Sequence, residues 1–513
     1  MTLSLWLSGG AAVYAVSVLV RLWPRHGLRH CGVDSWFHLH SARIIRRTRR
    51  LPQVVPEYIL GGQWDYPPLF PALLALIPER ALMRVERFIA PLVGSVLPVA
   101  AFAMAGFLTH SIWMAMAAGC VAALDPLSIT QTITLTPRPL GALLLSAAVV
   151  AAIAYRNTGE ALWLFAAVAM SALVFLAHRM SSQTLVFLSI GLAIALASPV
   201  LLVPPLAGMA LAWAGSGGFY RQVLEGHVGE LAYWQAHIHE RDDAQPLKPI
   251  GIASRVEPRR RPGGPTAQAL RQLRLPFVLS PVLLPALLSP LAVRTPQWAP
   301  FAREMWMWCV VGFGLCLAVT LIPQLRFIGH GFRYLSYTVL PASVLCALAL
   351  THAELRYLFV GLCVPTLVMV LWVVPTHRPD PAAEAQLLAD LESAGRRLRE
   401  CPGARVLCIP LALANPVAYL AEVPVLRHGG QAGLMRFSFF VPAVKRPLSE
   451  IAETYRLSHV VCDTRIASAE DLSLPGSRTI LSGGRIELTE LMKEETNLQA
   501  GTVPVAVGEG QGT

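Results

Sequence analysis

Charge is what this sequence has least of. Of its 513 residues only 14% are charged, against about 25% in an ordinary soluble domain, which excludes a chain that is water-soluble throughout. Lysine is scarcest: Lys248, Lys445 and Lys493 stand alone, so the formal net charge of +11 rests on arginine. That charge is dispersed among short segments and forms no recognisable binding module, so no nucleic-acid partner is expected. The nine cysteines include no Cys-x-x-Cys pair, which argues against a structural zinc site. Cys120, Cys309, Cys316, Cys346 and Cys363 lie in hydrophobic runs, where a thiol behaves as a small apolar group.

Hydrophobicity is what the sequence has in excess: 54% of residues, with a mean hydropathy of +0.53. Runs such as Leu3–Trp23, Phe88–Leu108, Leu140–Tyr155, Ala161–Ala177 and Arg356–Val374 approach the roughly 20 residues of a spanning helix. The first run has no basic segment before it and no small-residue cleavage site after it, and reads as an uncleaved span. About eleven spans are expected, near 4–22, 87–108, 111–124, 140–155, 161–177, 183–200, 201–216, 275–293, 304–323, 335–351 and 356–375. Together they make residues 1–375 a multi-span α-helical membrane domain, interrupted by long polar loops at 24–86 and 217–274.

From Thr376 the composition changes. A linker helix is expected over 376–400 and a small soluble α/β domain over 401–495, in which "RVLCIPLAL", "VPVLRHGG" and "HVVCDT" read as buried strands and "LSEIAETYRLS" as a helix. Residues 496–513 read as a disordered tail.

The densest chemistry lies just after the first span, in "GVDSWFHLHSARIIRRTRRLP". Asp34 opens an amphipathic helix that Pro52 would stop. Phe37, Ile44 and Ile45 fall on an apolar side, and Arg43, Arg46, Arg47, Arg49 and Arg50 on a wet one. His38 follows Asp34 by one helical turn, so both side chains can point one way. The competing reading is plain: an acid at a helix start is often only a cap, contributing about 1 kcal/mol. Against that, "GGQWDYPPLFPALLALIP" follows in the same loop, with a short apolar helix at Leu69–Ile77 that can dip towards the membrane.

A first span followed by "D-S-W-F-H" and then "Y-P-P-L-F-P" resembles the C-type (GT-C) membrane glycosyltransferases, and among them the catalytic subunit of oligosaccharyltransferase. The resemblance implies a many-span fold and a polyprenyl-phosphate-linked sugar donor, with Asp34 as the catalytic acid of the first extracytoplasmic loop. It also implies a second acidic motif in the loop "LDPLSITQTITLTPRPLG". There Asp125 is the only acid, and Thr134, Thr136 and Arg138 stand where another is expected. Asp34, His38 and Asp125 are therefore the candidate ligands of a divalent cation, Mg or Mn, which favours several oxygen donors.

In "RFIGHGFRYLSYTVLP", Arg326, His330 and Arg333 are close enough in sequence to embrace one phosphate, and glycines at 329 and 331 allow a close backbone approach. The resemblance implies a late-loop arginine on the donor phosphate, for which Arg333 is the first choice and Arg326 the second. Anchoring of a span by Arg and Tyr is the alternative. Arg138 is the further phosphate candidate, or else a snorkelling residue in an ordinary turn. His178 and Arg179 in "AHRMSSQ" fall in a short loop between apolar runs, and "HVGELAYWQAHIHERDD" reads as a solvated or acceptor-covering loop. In the soluble domain "LALAN" stands where oligosaccharyltransferase relatives carry W-W-D, so the acceptor is open: a protein, a lipid or a glycan.

The expected function is an inverting glycosyltransferase acting at the extracytoplasmic face of a bacterial or archaeal plasma membrane, in contact with membrane lipids. Eleven spans would put the first loop and the C-terminal domain outside. That sets five arginines against the positive-inside tendency, unless they serve an anionic lipid phosphate. A transporter or flippase, or a non-catalytic assembly subunit, is the alternative.

Overall fold

The structure, a computed structural model, describes residues 3–30, 32–238, 278–289, 299–350, 368, 370–372, 374–375, 378–440, 446–468, 471–472 and 476–491. The span expected at 356–375 lies mostly outside these residues, as do the loop beyond 238 and the tail; of the span expected at 275–293, residues 278–289 are described and hold the short helix α13 (Leu283–Leu288).

The membrane helices are α1 (Leu3–Leu22), α4 (Glu79–Gly94) running into α5 (Val96–Thr109), α6 (Ile112–Ala123), α8 (Arg138–Thr158), α9 (Ala161–Ala177), α10 (Arg179–Ala195), α11 (Val203–Gly215), α14 (Ala299–Leu321) and α15 (Val339–Ala349). Leu3–Arg25, Glu79–Thr109, Arg138–Thr158 and Phe301–Leu321 are long and apolar enough to cross a membrane. Gly331–Tyr337 with Val339–Ala349 makes a fifth candidate, bent by 62°, and α6, α9, α10 and Pro199–Gly215 are shorter apolar helices. Helices suit this environment because each satisfies its own backbone hydrogen bonds where no water can.

Within α8, 67% of the apolar window is buried, against 11% in α1; α8 is central and α1 lies at the lipid edge. Ala142, Ala148, Ala151, Ala152 and Ala154 of α8 are buried, and such small side chains let neighbouring backbones approach.

The first loop is folded. It holds α2 (Val33–Thr48) and α3 (Leu69–Ala75). α2 ends earlier than Pro52: Arg49 takes the left-handed conformation at φ 56° and its N–H closes on the Ile45 carbonyl. Trp36, Leu39 and Ala42 of α2 pack with Phe70 and Leu74 of α3, Leu82 of α4 and Leu135. Burying each of the large side chains contributes roughly 1.5–3 kcal/mol. Leu73 and Leu76 stay exposed, an apolar edge of the kind that faces lipid.

The stretch expected as a polar loop from 217 begins as a helix, α12 (Phe219–Ala236), with Phe219, Tyr220, Val223 and Tyr233 buried. Between α7 (Pro126–Thr130) and α8, and again over Pro323–Tyr337, irregular and 3-10 segments cap the bundle on the Asp34 side.

Beyond the bundle, α16 (Pro381–Arg399) starts at Asp380, whose carboxylate accepts the Ala382 N–H at 3.0 Å. It leads into a four-stranded sheet of β1 (Val406–Ile409), β2 (His459–Asp463), β3 (Ser477–Leu481) and β4 (Ile486–Leu491), in the order β1-β2-β4-β3. β1 and β2 are parallel, with Val406 opposite His459, and the other pairs are antiparallel. The helices α17 (Ala414–Ala421) and α18 (Leu448–Thr454) complete it.

The "VPVLRHGG" segment is not a full strand. Val425 bridges Val406 on one side and Tyr58 of the first loop on the other, both in parallel. The Ile59 N–H donates to the Val425 carbonyl at 2.9 Å and the Val425 N–H to the Glu57 carbonyl at 2.7 Å. The first loop is thus hydrogen-bonded onto the edge of the C-terminal sheet.

Candidate active site

Asp34 lies in the first turn of α2 and does not cap it; the cap position is Gly32, at φ 83°. A Cβ there would come within 2.6 Å of the Thr134 methyl, so glycine brings the start of α2 against the 124–137 loop. The Leu135 N–H then donates to the buried Ser35 hydroxyl at 2.9 Å, tying the two loops together beside Asp34. Across that seam the Arg138 guanidinium donates to the Asp34 carboxylate at 3.1 Å, with side-chain exposures of 31% and 49%. This carboxylate is solvent-reachable and already holds a cation.

His38, one turn along, is buried among rings, its centroid 5.4 Å from that of Tyr66 and 5.2 Å from those of Phe37 and Phe70. Burial drives its imidazole down to about 4; Asp34 opposes that shift and Arg138 adds to it. The ring is neutral at physiological pH, and its Nδ1 has no hydrogen-bond partner. Burial raises the Tyr66 hydroxyl above the ordinary phenol value; Asp34 and Glu230 add to that shift, and Arg179 and Arg138 oppose it.

On the bundle side, His178 is the single residue separating α9 from α10. Its Nδ1 lies 3.0 Å from the Ser181 hydroxyl, which lies 3.0 Å from that of Tyr337. Arg138 and Arg333 both act electrostatically on the His178 ring and on the Tyr337 hydroxyl. Arg138 thereby links the Asp34 side of the site to the Arg333 side.

The segment carrying Arg333 is held by Gln183 of α10. The Gln183 amide donates to the Ile328 carbonyl at 2.8 Å and to the Tyr334 hydroxyl at 2.5 Å, and its oxygen lies 3.2 Å from His227 Nε2 on α12. Arg326 reaches the Thr320 carbonyl at 3.5 Å, and the His330 ring stacks on Phe332 at 5.8 Å.

The structure does not bring the expected trio of metal ligands together. Asp125 is fully buried; it caps α7 by accepting the Ser128 N–H at 2.8 Å and also accepts the Ser280 hydroxyl at 2.8 Å. Burial pushes its carboxyl up to about 6, against the pull of Ser128, Ser280 and Arg21. Arg21 donates to Ser128 Oγ at 2.8 Å and to the Ala123 carbonyl at 3.2 Å. Asp125 is a joint between spans. No group of three or more His, Cys, Asp or Glu side chains suited to a metal ion occurs among the described residues. The donor set of Asp34, His38 and Asp125 therefore does not fit a divalent ion.

Sequence reading also missed residues. Ser35 and Tyr66 stand inside the two motifs that carry the resemblance, but nothing there singles them out from their neighbours, and Ser181 carries no signal of its own. Asp65, unmarked within "GGQWDYPPLFPALLALIP", is buried and paired with Arg179, which the sequence places in a short loop between apolar runs.

No family model matches the chain, and no curated protein matches it. Solved structures do. The oligosaccharyltransferase of Archaeoglobus fulgidus in its apo form is similar at a TM-score of 0.57 and 13% identity, over 91% of this chain and 71% of that one. The archaeal oligosaccharyltransferase AglB from the same organism, in complex with an inhibitory peptide and a dolichol-phosphate, is similar at 0.58 and 13% over the same shares. ArnT from Cupriavidus metallidurans, bound to undecaprenyl phosphate, is similar at 0.53 and 14% identity, over 97% of this chain and 100% of that one. The chain has the C-type glycosyltransferase fold that the Asp34 and Tyr66–Pro71 motifs led us to expect.

Proposed function

We propose that this protein is an inverting membrane glycosyltransferase, moving a sugar from a polyprenyl phosphate or diphosphate to an acceptor at the extracytoplasmic face of a bacterial or archaeal plasma membrane. The observation that carries this reading is the Asp34–Arg138 pair at 3.1 Å, with Arg333 acting on the same His178 and Tyr337 groups as Arg138. Similarity of fold to proteins solved with dolichol-phosphate and undecaprenyl phosphate supports the donor class.

In this mechanism the acceptor nucleophile attacks the anomeric carbon while Asp34 takes its proton, the role a positioned carboxylate fills well. The bond from the anomeric carbon to the phosphate oxygen breaks, and the electron pair leaves with the polyprenyl phosphate. Arg138 and Arg333 neutralise the charge that builds there, with Arg326 and His330 in the same late loop. Preorganised donors of this kind contribute about 3 kcal/mol each once a bound substrate shields them from water. The donor set around Asp34 does not fit a metal, so this charge stabilisation is assigned to guanidinium groups.

The test is twofold. Purified protein in nanodiscs should transfer label from a polyprenyl-phosphate-linked sugar. Mass spectrometry of glycoproteins and glycolipids from cells with and without the protein should find one glycan class missing. Absence of transfer together with unchanged glycans would overturn the reading.

A further inference from the structure

Three motifs that the proposed chemistry leaves unused converge on one buried carboxylate: "WDY" at 64–66, "AHR" at 177–179 and "HVGE" at 227–230. Asp65 is 2% exposed. One carboxylate oxygen pairs with the Arg179 guanidinium, which also donates to the Asp65 carbonyl at 2.7 Å and to Glu230 of α12 at 3.0 Å. The other accepts two backbone N–H groups of the C-terminal region, Gln431 at 2.5 Å and Ala432 at 3.0 Å. One side chain thus joins the first loop, α10, α12 and the C-terminal turn.

The fit is made by absent side chains. A Cβ on Gly226 would lie 2.2 Å from the Asp65 carboxyl carbon, and one on Gly430 would lie 2.1 Å from the Gln63 carbonyl and 2.5 Å from Asp65 Oδ2. The contact continues into the site. Tyr66, next in sequence, packs its ring on Phe37 at 5.2 Å and on His38 at 5.4 Å, and the Arg179 guanidinium lies 5.5 Å from the Tyr66 ring. Phe37 and His38 lie one turn along α2 from Asp34, and Arg179 follows His178.

We propose that the Asp65 carboxylate is the link through which the C-terminal turn Gly430–Ala432 sets the position of the Asp34 turn, with Asp65 a positioning residue acting through Tyr66 and Arg179. A carboxylate suits this place because it accepts from a guanidinium on one oxygen and from two backbone N–H groups on the other. A carboxamide turns an NH2 towards one of these donors. The catalytic consequence rests on the function proposed above; the mechanical link does not.

The test is amide hydrogen exchange on the full chain in nanodiscs, comparing the wild type with Asp65→Asn and with Gly430→Ala, which pushes the turn away and leaves the buried charges in place. Both variants should exchange several-fold faster at 431–432 and at 33–40, with β2 at 459–463 unchanged. Turnover should fall by about tenfold, as for a small misplacement of a reacting group, while undecaprenyl phosphate binding is kept. Unchanged exchange at 33–40 in both variants overturns the link. So does faster exchange at 459–463 in both, which makes Asp65 a general support of the fold. A wild type that neither binds undecaprenyl phosphate nor transfers sugar overturns the proposed function, and the exchange pattern still decides the link.

Discussion

The guanidinium of Arg138 donates to the carboxylate of Asp34 at 3.1 Å, joining the start of α8 to the start of α2. Neither side chain is buried, at 31% and 49% exposure, so the pair adds only about 0–1 kcal/mol to stability. In the proposed reaction its worth lies elsewhere: a guanidinium beside an accessible carboxylate can move to a phosphate oxygen and free the carboxylate to accept a proton.

Asp34→Asn should therefore reduce sugar transfer by about 10²–10⁴-fold, the range for a missing general base. Abundance in the membrane and the thermal midpoint should stay close to the wild type. Turnover of the purified variant checks this, and an active Asn variant removes Asp34 from the chemistry.

Arg138→Gln and Arg333→Gln should each weaken undecaprenyl phosphate binding by about 10–100-fold, the loss of one charge-assisted contact of about 1.5–3 kcal/mol. Titration in nanodiscs at low and high salt reads it, and the deficit should narrow as salt screens the wild-type contact. Arg326→Gln should weaken binding less than Arg333→Gln.

His38 and His227 are each pushed by burial from 6.5 down to about 4. A folded pKa below the unfolded one means that their contribution to stability is complete above pH 6.5. It is lost as pH falls through 6.5 towards 4. The thermal midpoint should drop across that window, and His38→Phe should flatten part of the slope. A midpoint that rises on acidification would contradict burial of these rings.

Tyr419 of α17 holds the back of α2. Its hydroxyl donates to Glu79 at 3.0 Å, the Arg43 guanidinium sits 3.4 Å over its ring, and Trp36 packs on it at 5.4 Å. Tyr419→Ala should cost about 3–5 kcal/mol, as for a large buried aromatic. Tyr419→Phe should cost about 1 kcal/mol, for one hydrogen bond. Denaturant unfolding of the two variants separates packing from the hydrogen bond.

A reporter enzyme fused after Arg50 and another after Pro379 should both read as extracytoplasmic. Cytoplasmic activity from both would reverse the orientation that the proposed reaction needs.

How much of this was legible in the sequence differs from residue to residue. The long apolar helices at Leu3–Arg25, Glu79–Thr109, Arg138–Thr158 and Phe301–Leu321 were, because a long apolar run has no other way to satisfy its backbone in lipid. The helix from Val33 was too, from its own periodicity, though its end at Arg49 was set by a left-handed cap that no proline marks. The hairpin of β3 and β4 escaped notice, since exposed Ser477, Arg478 and Thr479 break the apolar pattern of a strand.

By itself the sequence determined which segments are apolar enough for a membrane, that an acid follows the first of them, and that arginine supplies the positive charge. These are properties of composition and of spacing within one element. Only the tertiary structure decided which charges meet: that Asp34 faces Arg138, that Asp125 is consumed in a joint with Ser128, Ser280 and Arg21, and that Asp65 is buried against Arg179 and the C-terminal turn. The pairing of a charge depends on partners far along the chain, and on whether burial leaves room for a ligand or fills the space with protein.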